Sequence, residues 1–476
     1  MNAMTQPIRV ILNTREPGYR AKTYLAYAGV FAIGAGDAVR YSIGWLGWGI
    51  LLGVMLVAVA VLFFKNEPKR VIKQIPWPLA ALLGLMTLST IWSFYPGFTA
   101  LAVFAQLATT LFGLFLAGSF SWRHLLKVFA NVIRFILATS FIFEFIAAAI
   151  VRGPIPPIFK NYSGDKPPAS AYYWTRGHLF DGDRIQGIVG NSNLLAYIAM
   201  IGLVVFAIEY VVRGRLRWLS AISFIGSLLA FWLAKSAGVG FAVMAIAVAA
   251  VVAISVEGKD RDLRHRTYRW VWAVAGVIAV VVLIFRADVF AAFGKSPDMT
   301  GRSKIWKKVL GLIWERPVQG WGWISYWVPG VKPYDGLVVI KKVPYFQAHN
   351  AYLDTWLQIG AIGLLLLLIL IVLTFIKLWR LGVRHTNPLY LWPMLVFFGV
   401  LAQNLTESRM LLELGWAMLV MFAVKANDSD ELLEPLLTKH WGRVQTTTPL
   451  EMLGRVTAVS QLLNRGPGDA AAGKIH

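Results

Sequence analysis

The sequence predicts an all-α membrane protein whose chain crosses the bilayer about twelve times. Hydrophobic residues make up 57% of the 476 residues and charged residues only 15%, which excludes an ordinary soluble protein. Many windows of roughly 20 apolar residues are long enough to span a bilayer. The strand-like alternation of a membrane barrel is absent, so helices are the predicted spanning elements.

The positions of Lys and Arg predict the orientation of these spans. Basic loops alternate with nearly neutral ones along the first five spans, so the N-terminal segment is predicted to be cytoplasmic. We see no cleavable signal peptide in the first 20 residues and expect the first span to stay in the membrane. The predicted spans lie near residues 22–37, 42–64, 76–94, 98–119, 125–151, 188–211, 218–234 and 238–256, then a ninth ending near Phe285, then 351–376, 388–405 and 410–425. Residues 1–425 are thus one transmembrane domain, and 426–476 are a partly disordered cytoplasmic tail.

Two sizeable outer loops are predicted, at residues 152–186 and 287–350. The larger one contains a helix from Trp306 to Trp314, which Pro317 ends. Both loops are rich in basic side chains: Arg152, Lys160, Lys166, Arg176 and Arg184 in the first, and Arg302, Lys304, Lys307, Lys308, Lys332, Lys341 and Lys342 in the second. Insertion bias explains much of the net charge of +22 but disfavours this outer excess, which indicates a polyanionic ligand outside the cytoplasm.

Other ligand classes find less support in the composition. Nucleic acid is a poor explanation for basic residues that are spread between membrane spans, so no nucleic-acid partner is expected. The chain has no cysteine, which excludes disulfides and thiolate metal sites. Neither a Walker loop nor a dinucleotide fingerprint is present, so use of ATP or NAD is unsupported.

The stretch 347–364 runs from a polar loop into an uninterrupted apolar helix. His349 and Asn350 stand at the start of that helix, where an imidazole is well placed for acid–base chemistry on a lipid-borne substrate. The alternative is an interfacial histidine that only caps the helix. Gly360 and Gly363 follow, at positions where a neighbouring helix can approach closely.

Three short motifs occur in a fixed order over roughly residues 180 to 410. They are Arg184-Ile185-Gln186-Gly187 with Gly190-Asn191-Ser192-Asn193, then Gly301-Arg302-Ser303-Lys304-Ile305-Trp306 with Arg316-Pro317-Val318-Gln319-Gly320-Trp321-Gly322, then His349-Asn350 with Gly360-x-x-Gly363. This ordered set resembles the signature of the bacterial O-antigen ligase family. That family shares its fold with O-antigen polymerases and some protein O-oligosaccharyltransferases. The resemblance implies a GT-C-like membrane glycosyltransferase with two periplasmic loops, the larger partly helical.

The resemblance also implies a reaction. An O-antigen ligase moves a polysaccharide from undecaprenyl pyrophosphate to the lipid A core, with inversion and without a metal or other cofactor, at the periplasmic face of the bacterial inner membrane. Carried over to this chain, His349 is the base, and Arg184 and Arg302 bind the diphosphate. Lys235 is a further substrate-binding candidate, because relatives often have a basic residue there. Asn350 either orients His349 towards substrate or caps the helix.

Each of these assignments has a structural alternative. Arg302 pairs with Asp298, Arg184 pairs with Asp181 or Asp183, and Lys235 marks a helix end. Asp181-Gly182-Asp183 has the form of a divalent-cation site, but no second carboxylate cluster accompanies it. Five tryptophans of the larger loop form either a sugar-stacking wall or, for most of them, an interfacial belt: Trp306, Trp314, Trp321, Trp323 and Trp327.

Function has alternatives as well. An O-antigen polymerase or a protein O-oligosaccharyltransferase has the same fold and a different acceptor. A carrier or flippase for a lipid-linked sugar is the alternative of another class, but it usually has internal repeats and a charged path across the bilayer. No internal repeat is evident here. Arg134 and Glu144 fall inside the fifth span, and we interpret both as structural.

Overall fold

A computed structural model describes residues 18–65, 68–158, 172–212, 217–257, 259–284, 302–340, 343–385 and 387–427. Its helices are α1 (Tyr19–Gly34), α2 (Gly36–Lys65), α3 (Pro68–Lys73), α4 (Trp77–Leu88), α5 (Pro96–Ser119), α6 (Trp122–Phe145), α7 (Ser192–Val212), α8 (Arg217–Ala234), α9 (Ala237–Val256), α10 (Arg261–Ile284), α11 (Arg302–Glu315), α12 (Ala351–Arg384), α13 (Leu391–Gln403) and α14 (Glu413–Lys425). Two short strands, β1 (Val339–Ile340) and β2 (Val343–Pro344), pair antiparallel. Residues 159–171 and 287–301 of the predicted outer loops, and nearly all of the predicted tail, lie outside the described residues.

Seven helices within the described ranges are long and apolar enough to cross a membrane: α2, α5, α6, α7, α8, α9 and α12. Two shorter apolar helical stretches, Trp77–Ile91 and Pro388–Gln403, coincide with further predicted spans. The protein is therefore a multi-pass helical membrane protein, as predicted. Helices also lie at the remaining predicted spans, and the number of twelve crossings stays a prediction.

The helices pack around α7, which is the most buried of the seven long ones. It contacts α6, α8 and α13, while α14 packs against α5, and α9 packs against α13. One continuous apolar cluster runs through these contacts. In contrast, α2 is almost entirely exposed, with large apolar side chains such as Trp45, Leu46 and Val54 on its surface. Such a surface suits contact with lipid chains.

Helix α12 is interrupted at Ile359 and Gly360, where the backbone leaves the helical conformation. The segment 317–325 lies in this break and supplies the missing hydrogen bonds. Ala361 donates its N–H to the Pro317 carbonyl at 2.9 Å, and the Leu357 and Gln358 carbonyls accept from the N–H groups of Trp321 and Gly322 at 3.1 and 2.8 Å. Because buried backbone groups need partners, this segment makes the break stable.

Gly360 and Gly363 of α12 were expected to allow close approach of a neighbouring helix, and the structure shows other neighbours. Gly360 has φ +70°, and a Cβ built on it would lie 1.8 Å from the Val318 carbonyl oxygen. Its close neighbour is thus an extended segment, not a helix. A Cβ on Gly363 would meet the side chain of Ile359, which belongs to the same helix. The close backbone approach was predicted correctly at Gly360, but the nature of its partner was wrong.

Substitution Gly360→Ala is expected to destabilise the protein by about 2–4 kcal/mol, because alanine is strained at this φ and collides with a backbone carbonyl. Thermal unfolding in detergent measures the effect. Gly226→Ala in α8 is the matched control, since nothing lies within 4 Å of its Cβ position. Equal unfolding temperatures for the two variants would contradict the clash.

Residues 302–350 form a small core of their own against the first turns of α12. The predicted helix Trp306–Trp314 is α11, which ends before Pro317. Its Ile305 and Val309 pack with Trp327 and Val338. Both Trp323 and Trp327 are fully buried, whereas Trp314 is 67% exposed. Burial explains why these two residues are neither a sugar-stacking wall nor an interfacial belt.

The two intramembrane charges hold neighbouring elements. Arg134 pairs with Glu209 at 2.7 Å and donates to the Ser223 hydroxyl at 2.7 Å. Glu144 accepts from the backbone N–H groups of Gln186 and Gly187 at 2.8 and 2.6 Å. These contacts agree with the structural interpretation, and Glu144 also fixes the segment that directly follows Arg184.

Candidate active site

Glu407 is the centre of a polar cluster at one end of the helix bundle. It lies in the loop between α13 and a short 3-10 turn (Arg409–Leu411), and its side chain is only 4% exposed. Its Oε2 is 2.9 Å from His349 Nδ1. Its Oε1 accepts from Arg302 Nη2 at 3.0 Å and from Asn193 Nδ2 at 2.9 Å. One carboxylate therefore joins residues from three distant parts of the chain.

The ionisation of Glu407 determines the tautomer of His349. Although burial opposes ionisation, the charges of His349, Arg409 and Arg302 lower the pKa of Glu407 to about 2. An ionised carboxylate can only accept hydrogen bonds, so the hydrogen between the two side chains belongs to Nδ1. In the neutral ring Nε2 then carries the lone pair. The arrangement leaves Nε2 as a proton acceptor.

Hydrogen bonds with two side chains, Trp306 and Asp354, hold the backbone next to His349. His349 has φ +50°, and its side chain is 17% exposed. Trp306 donates its indole N–H to the Ala348 carbonyl at 3.0 Å. The Oδ2 of Asp354, in the first turn of α12, accepts from the Ala348 N–H at 2.9 Å and from the Ser408 hydroxyl. Asp354 thereby joins the loop of His349 to the loop of Glu407.

Arg184 is connected to the cluster through Asn193. The Asn193 Oδ1 accepts from Arg184 Nη2 at 2.6 Å and from the Ser236 hydroxyl at 3.1 Å. The Nε of Arg184 donates to the Ala234 carbonyl at 2.9 Å. Burial, together with the nearby charge of Arg176, lowers the pKa of Arg184 from its ordinary value. Such crowding of positive charge favours an anionic ligand.

The structure tests the alternative for Arg184, whereas the alternative for Arg302 involves a residue outside the described ranges. The guanidinium of Arg184 points to Asn193, and only its backbone N–H bonds to Asp183, at 2.7 Å. The guanidinium of Arg302 pairs with Glu407. Its alternative partner, Asp298, lies outside the described residues. The structure thus places His349, Arg302 and Arg184, which were singled out from the sequence, on one hydrogen-bond network, and their roles stay predictions.

Lys235 lies next to this cluster but faces another loop. It has φ +47°, and its ammonium donates to the Gly182 carbonyl. In the same loop, Asp181 pairs with His178 Nδ1 at 2.6 Å, and Asp183 lies 3.7 Å from His178 Nε2. The ammonium of Lys235 therefore borders the 178–184 loop, and its contact with substrate stays a prediction.

Asn350 serves the helix that follows it. Its Oδ1 accepts from the backbone N–H groups of Tyr352 and Leu353 at 3.0 and 3.1 Å, and its Nδ2 donates to the Leu405 carbonyl at 3.1 Å. This is an N-cap, which supports the capping alternative. A contact between Asn350 and substrate stays a prediction.

Comparison with known proteins identifies the region that holds most of these side chains. Residues 187–368 match a family model described as O-antigen ligase. This stretch, less than half of the chain, is therefore similar to the O-antigen ligase family. The match confirms the resemblance and includes Asn193, Lys235, Arg302 and His349. Arg184 and Glu407 lie just outside it.

A curated protein that is similar to this chain is the exopolysaccharide production protein ExoQ of Rhizobium meliloti (strain 1021). The two chains are 28% identical over 226 residues, which is 45% of this chain and 50% of the relative. The chain thus spans about half the length of the curated relative that it matches. The family match and this likeness show that the chain is similar to O-antigen ligase- and polymerase-like membrane proteins.

Three residues of the polar cluster around Glu407 were not assigned a role from the sequence: Glu407 itself, Asn193 and Asp354. For two of these residues, the sequence contains a feature that could have indicated a role at the site. The predicted topology places Glu407 at the outer tip of the last hairpin, and Asn193 belongs to the first motif. Each is a polar residue at the same predicted membrane level as His349. Nothing in the sequence indicates that Asp354, inside an apolar helix, bonds to Ser408.

Proposed function

We propose that the protein is an O-antigen ligase. It transfers a polysaccharide from undecaprenyl pyrophosphate to the lipid A core oligosaccharide, at the periplasmic face of the bacterial inner membrane. The observation that carries this proposal is the His349–Glu407 pair with Arg302 and Arg184 on the same network. A base and two guanidinium groups are the parts that this reaction needs.

The pair supplies the base. The Nε2 of His349 takes the proton from an acceptor sugar hydroxyl while that oxygen attacks the anomeric carbon of the donor. Glu407 keeps the imidazole in the required tautomer and stabilises the imidazolium ion that forms. The new glycosidic bond forms as the bond between the anomeric carbon and the diphosphate breaks. Attack from the face opposite the leaving group inverts the anomeric centre.

The guanidinium groups receive the leaving diphosphate. Its negative charge grows as the bond breaks, and guanidinium groups bind phosphate oxygens without losing their protons. Arg302 can bind a phosphate beside Glu407, since its side chain is 18% exposed and the contact with Glu407 is made through Nη2, one of several N–H groups of the guanidinium. We assign the diphosphate to Arg302 and Arg184, with Lys235 at the edge of the site and Asn350 positioning His349. This chemistry requires neither a metal nor a cofactor.

A second acceptor is supported by the curated relative. The name of ExoQ refers to exopolysaccharide production, which favours a glycan chain as acceptor. In that case the same site would extend a polysaccharide, as a polymerase does. The base, the positioning carboxylate and the guanidinium groups would keep their roles, because both acceptors attack through a sugar hydroxyl.

One assay distinguishes these possibilities. The purified protein in lipid nanodiscs receives a lipid-linked glycan donor together with rough lipopolysaccharide, a second lipid-linked repeat or a pilin-like protein. The ligase proposal expects glycan on the lipopolysaccharide. Transfer to the lipid-linked repeat alone would establish the polymerase, and transfer to the protein would establish an O-oligosaccharyltransferase. Translocation of the donor without transfer would favour a carrier.

Substitution Arg302→Lys is expected to lower kcat/KM for the donor by about tenfold to a hundredfold, because lysine cannot form the forked contact with a phosphate and with Glu407 at once. Steady-state kinetics with varied donor measure this loss. Arg123→Lys is the matched control, since Arg123 is an exposed residue in the first turn of α6. Unchanged donor kinetics in Arg302→Lys would remove Arg302 from the diphosphate site.

A further inference from the structure

A cavity of about 360 Å³ lies in the extramembrane segment that precedes His349. Aromatic rings of Tyr334, Tyr345 and Phe346 line it together with Asp335 and the backbone of the β1–β2 hairpin. Its volume falls in the range of small-molecule sites, and its lining combines apolar rings with one fixed charge. Neither the base nor the guanidinium groups described above belong to this lining.

The floor of the cavity is rigid. The Tyr334 hydroxyl shares a hydrogen bond of 2.7 Å with Tyr95, and its ring stacks on Trp327 with the centroids 5.5 Å apart. The Tyr345 N–H donates to the Val338 carbonyl at 2.9 Å, which closes the hairpin against this floor. A ligand therefore meets a preformed surface and loses little affinity to ordering of the protein.

One residue that lines the cavity is in contact with His349. The ring of Tyr345 lies edge-on to the His349 ring, with the centroids 5.5 Å apart. A group bound against Tyr345 is thus one aromatic ring away from the imidazole. The proposed diphosphate site is connected to His349 by other contacts: Glu407 bonds to His349, and Arg302 bonds to Glu407.

Among the described lining residues, the charge of the cavity comes from a carboxylate, which disfavours a diphosphate. As far as the chain is described, its lining includes the carboxylate of Asp335 and no Lys or Arg. The Asp335 Oδ1 accepts from the Gly330 N–H at 3.1 Å, and a carboxylate retains further acceptor positions. Hydroxyl groups of a neutral sugar can donate to those positions. The aromatic rings suit the apolar face of a pyranose.

We propose that this cavity is the subsite for a pyranose ring of the acceptor glycan. The ring packs on Tyr345 and Phe346, donates a hydroxyl hydrogen bond to Asp335, and presents the neighbouring sugar hydroxyl to Nε2 of His349. This assignment rests on the proposed glycan transfer. It separates the two substrates: the cationic network holds the donor diphosphate, and the aromatic cavity holds the acceptor.

Kinetics with donor and acceptor varied separately test the subsite. Asp335→Asn keeps an oxygen for the Gly330 N–H and removes the charge, and Tyr345→Leu removes the ring. Each is expected to raise KM for the acceptor about tenfold, with KM for the donor unchanged. The matched controls are Asp262→Asn in α10 and Tyr24→Leu in α1, both at exposed positions. An unchanged acceptor KM, or an equal rise in donor KM, would overturn the proposal.

A binding measurement without the donor tests the acceptor subsite independently of the proposed glycan transfer. Saturation-transfer NMR detects contact between the protein in nanodiscs and a lipid-free core oligosaccharide. The wild-type protein is expected to give a signal that Asp335→Asn and Tyr345→Leu weaken severalfold, while their unfolding temperatures match those of the controls. If the wild type transfers no glycan but this pattern holds, the proposed function fails and the subsite stands. Equal signals from wild type and variants overturn the subsite whatever the transfer assay gives.

Discussion

Replacing His349 by alanine is expected to reduce glycan transfer by about 10²–10⁴-fold, because no other group in the cluster is placed to accept the hydroxyl proton. Expression and the unfolding temperature should change little, since the His349 side chain is partly exposed and its loop is held by Trp306 and Asp354. The measurement is the transfer rate at saturating donor and acceptor.

A second substitution separates the loss of the imidazole from an effect on the backbone conformation at residue 349. His349 has φ +50°, which asparagine tolerates better than alanine. His349→Asn should be as inactive as His349→Ala, because an amide is not a base at neutral pH. His385→Ala is the matched control at the far end of α12 and should retain full activity. An active His349→Asn protein would remove His349 from the role of base.

Replacing Glu407 by glutamine is expected to lower kcat by about 10²–10⁴-fold while the site residues stay in place. An amide at this position can donate to Nδ1, which would hold the imidazole in the tautomer whose Nε2 carries the hydrogen. KM for either substrate should change less than kcat, because Glu407 acts through His349. A loss confined to KM would contradict this role.

The same substitution has a pH-dependent effect on stability. The folded protein lowers the pKa of Glu407 from 4.5 to about 2. A depressed carboxylate pKa stabilises the folded state above the ordinary value, and this stabilisation is lost as pH falls from about 4.5 towards 2. The difference in unfolding temperature between wild type and Glu407→Gln should therefore be largest near about pH 7 and shrink by about pH 3. A constant difference would show that ionisation of Glu407 does not contribute.

The main features of the fold were predictable because each rests on local composition. Apolar runs predicted the positions of the helices, and Pro317 predicted the end of α11. The site residues His349, Arg302 and Arg184 were singled out from motif order and the family resemblance, whereas their proximity in space could not be shown by the sequence. Those signals are contained in short stretches of sequence, and a resemblance to a family can place them relative to one another.

The rest depends on contacts between distant residues. The break in α12 lies within an apolar run that reads as one continuous helix, and only the approach of residues 317–325 makes it stable. Glu407 is 58 residues from His349 in the chain, and the sequence does not show that its carboxylate faces Nδ1. The burial of Trp327 likewise results from the small core, and Trp323 is buried in the main apolar cluster of the helices. Neither position can be read from composition, which predicts an interfacial belt for such tryptophans.

In the proposed reaction, the interruption of α12 sets the distance between His349 and the apolar part of that helix. The stretch from Ala351 to Gln358, at the usual helical rise, places the imidazole roughly 12 Å from Gly360 along the helix axis. With this spacing, the polyprenyl tail of the proposed donor remains among the acyl chains while its diphosphate reaches headgroup level. Shortening this stretch by a full turn would move the imidazole towards the hydrocarbon, where a hydrophilic acceptor cannot follow it.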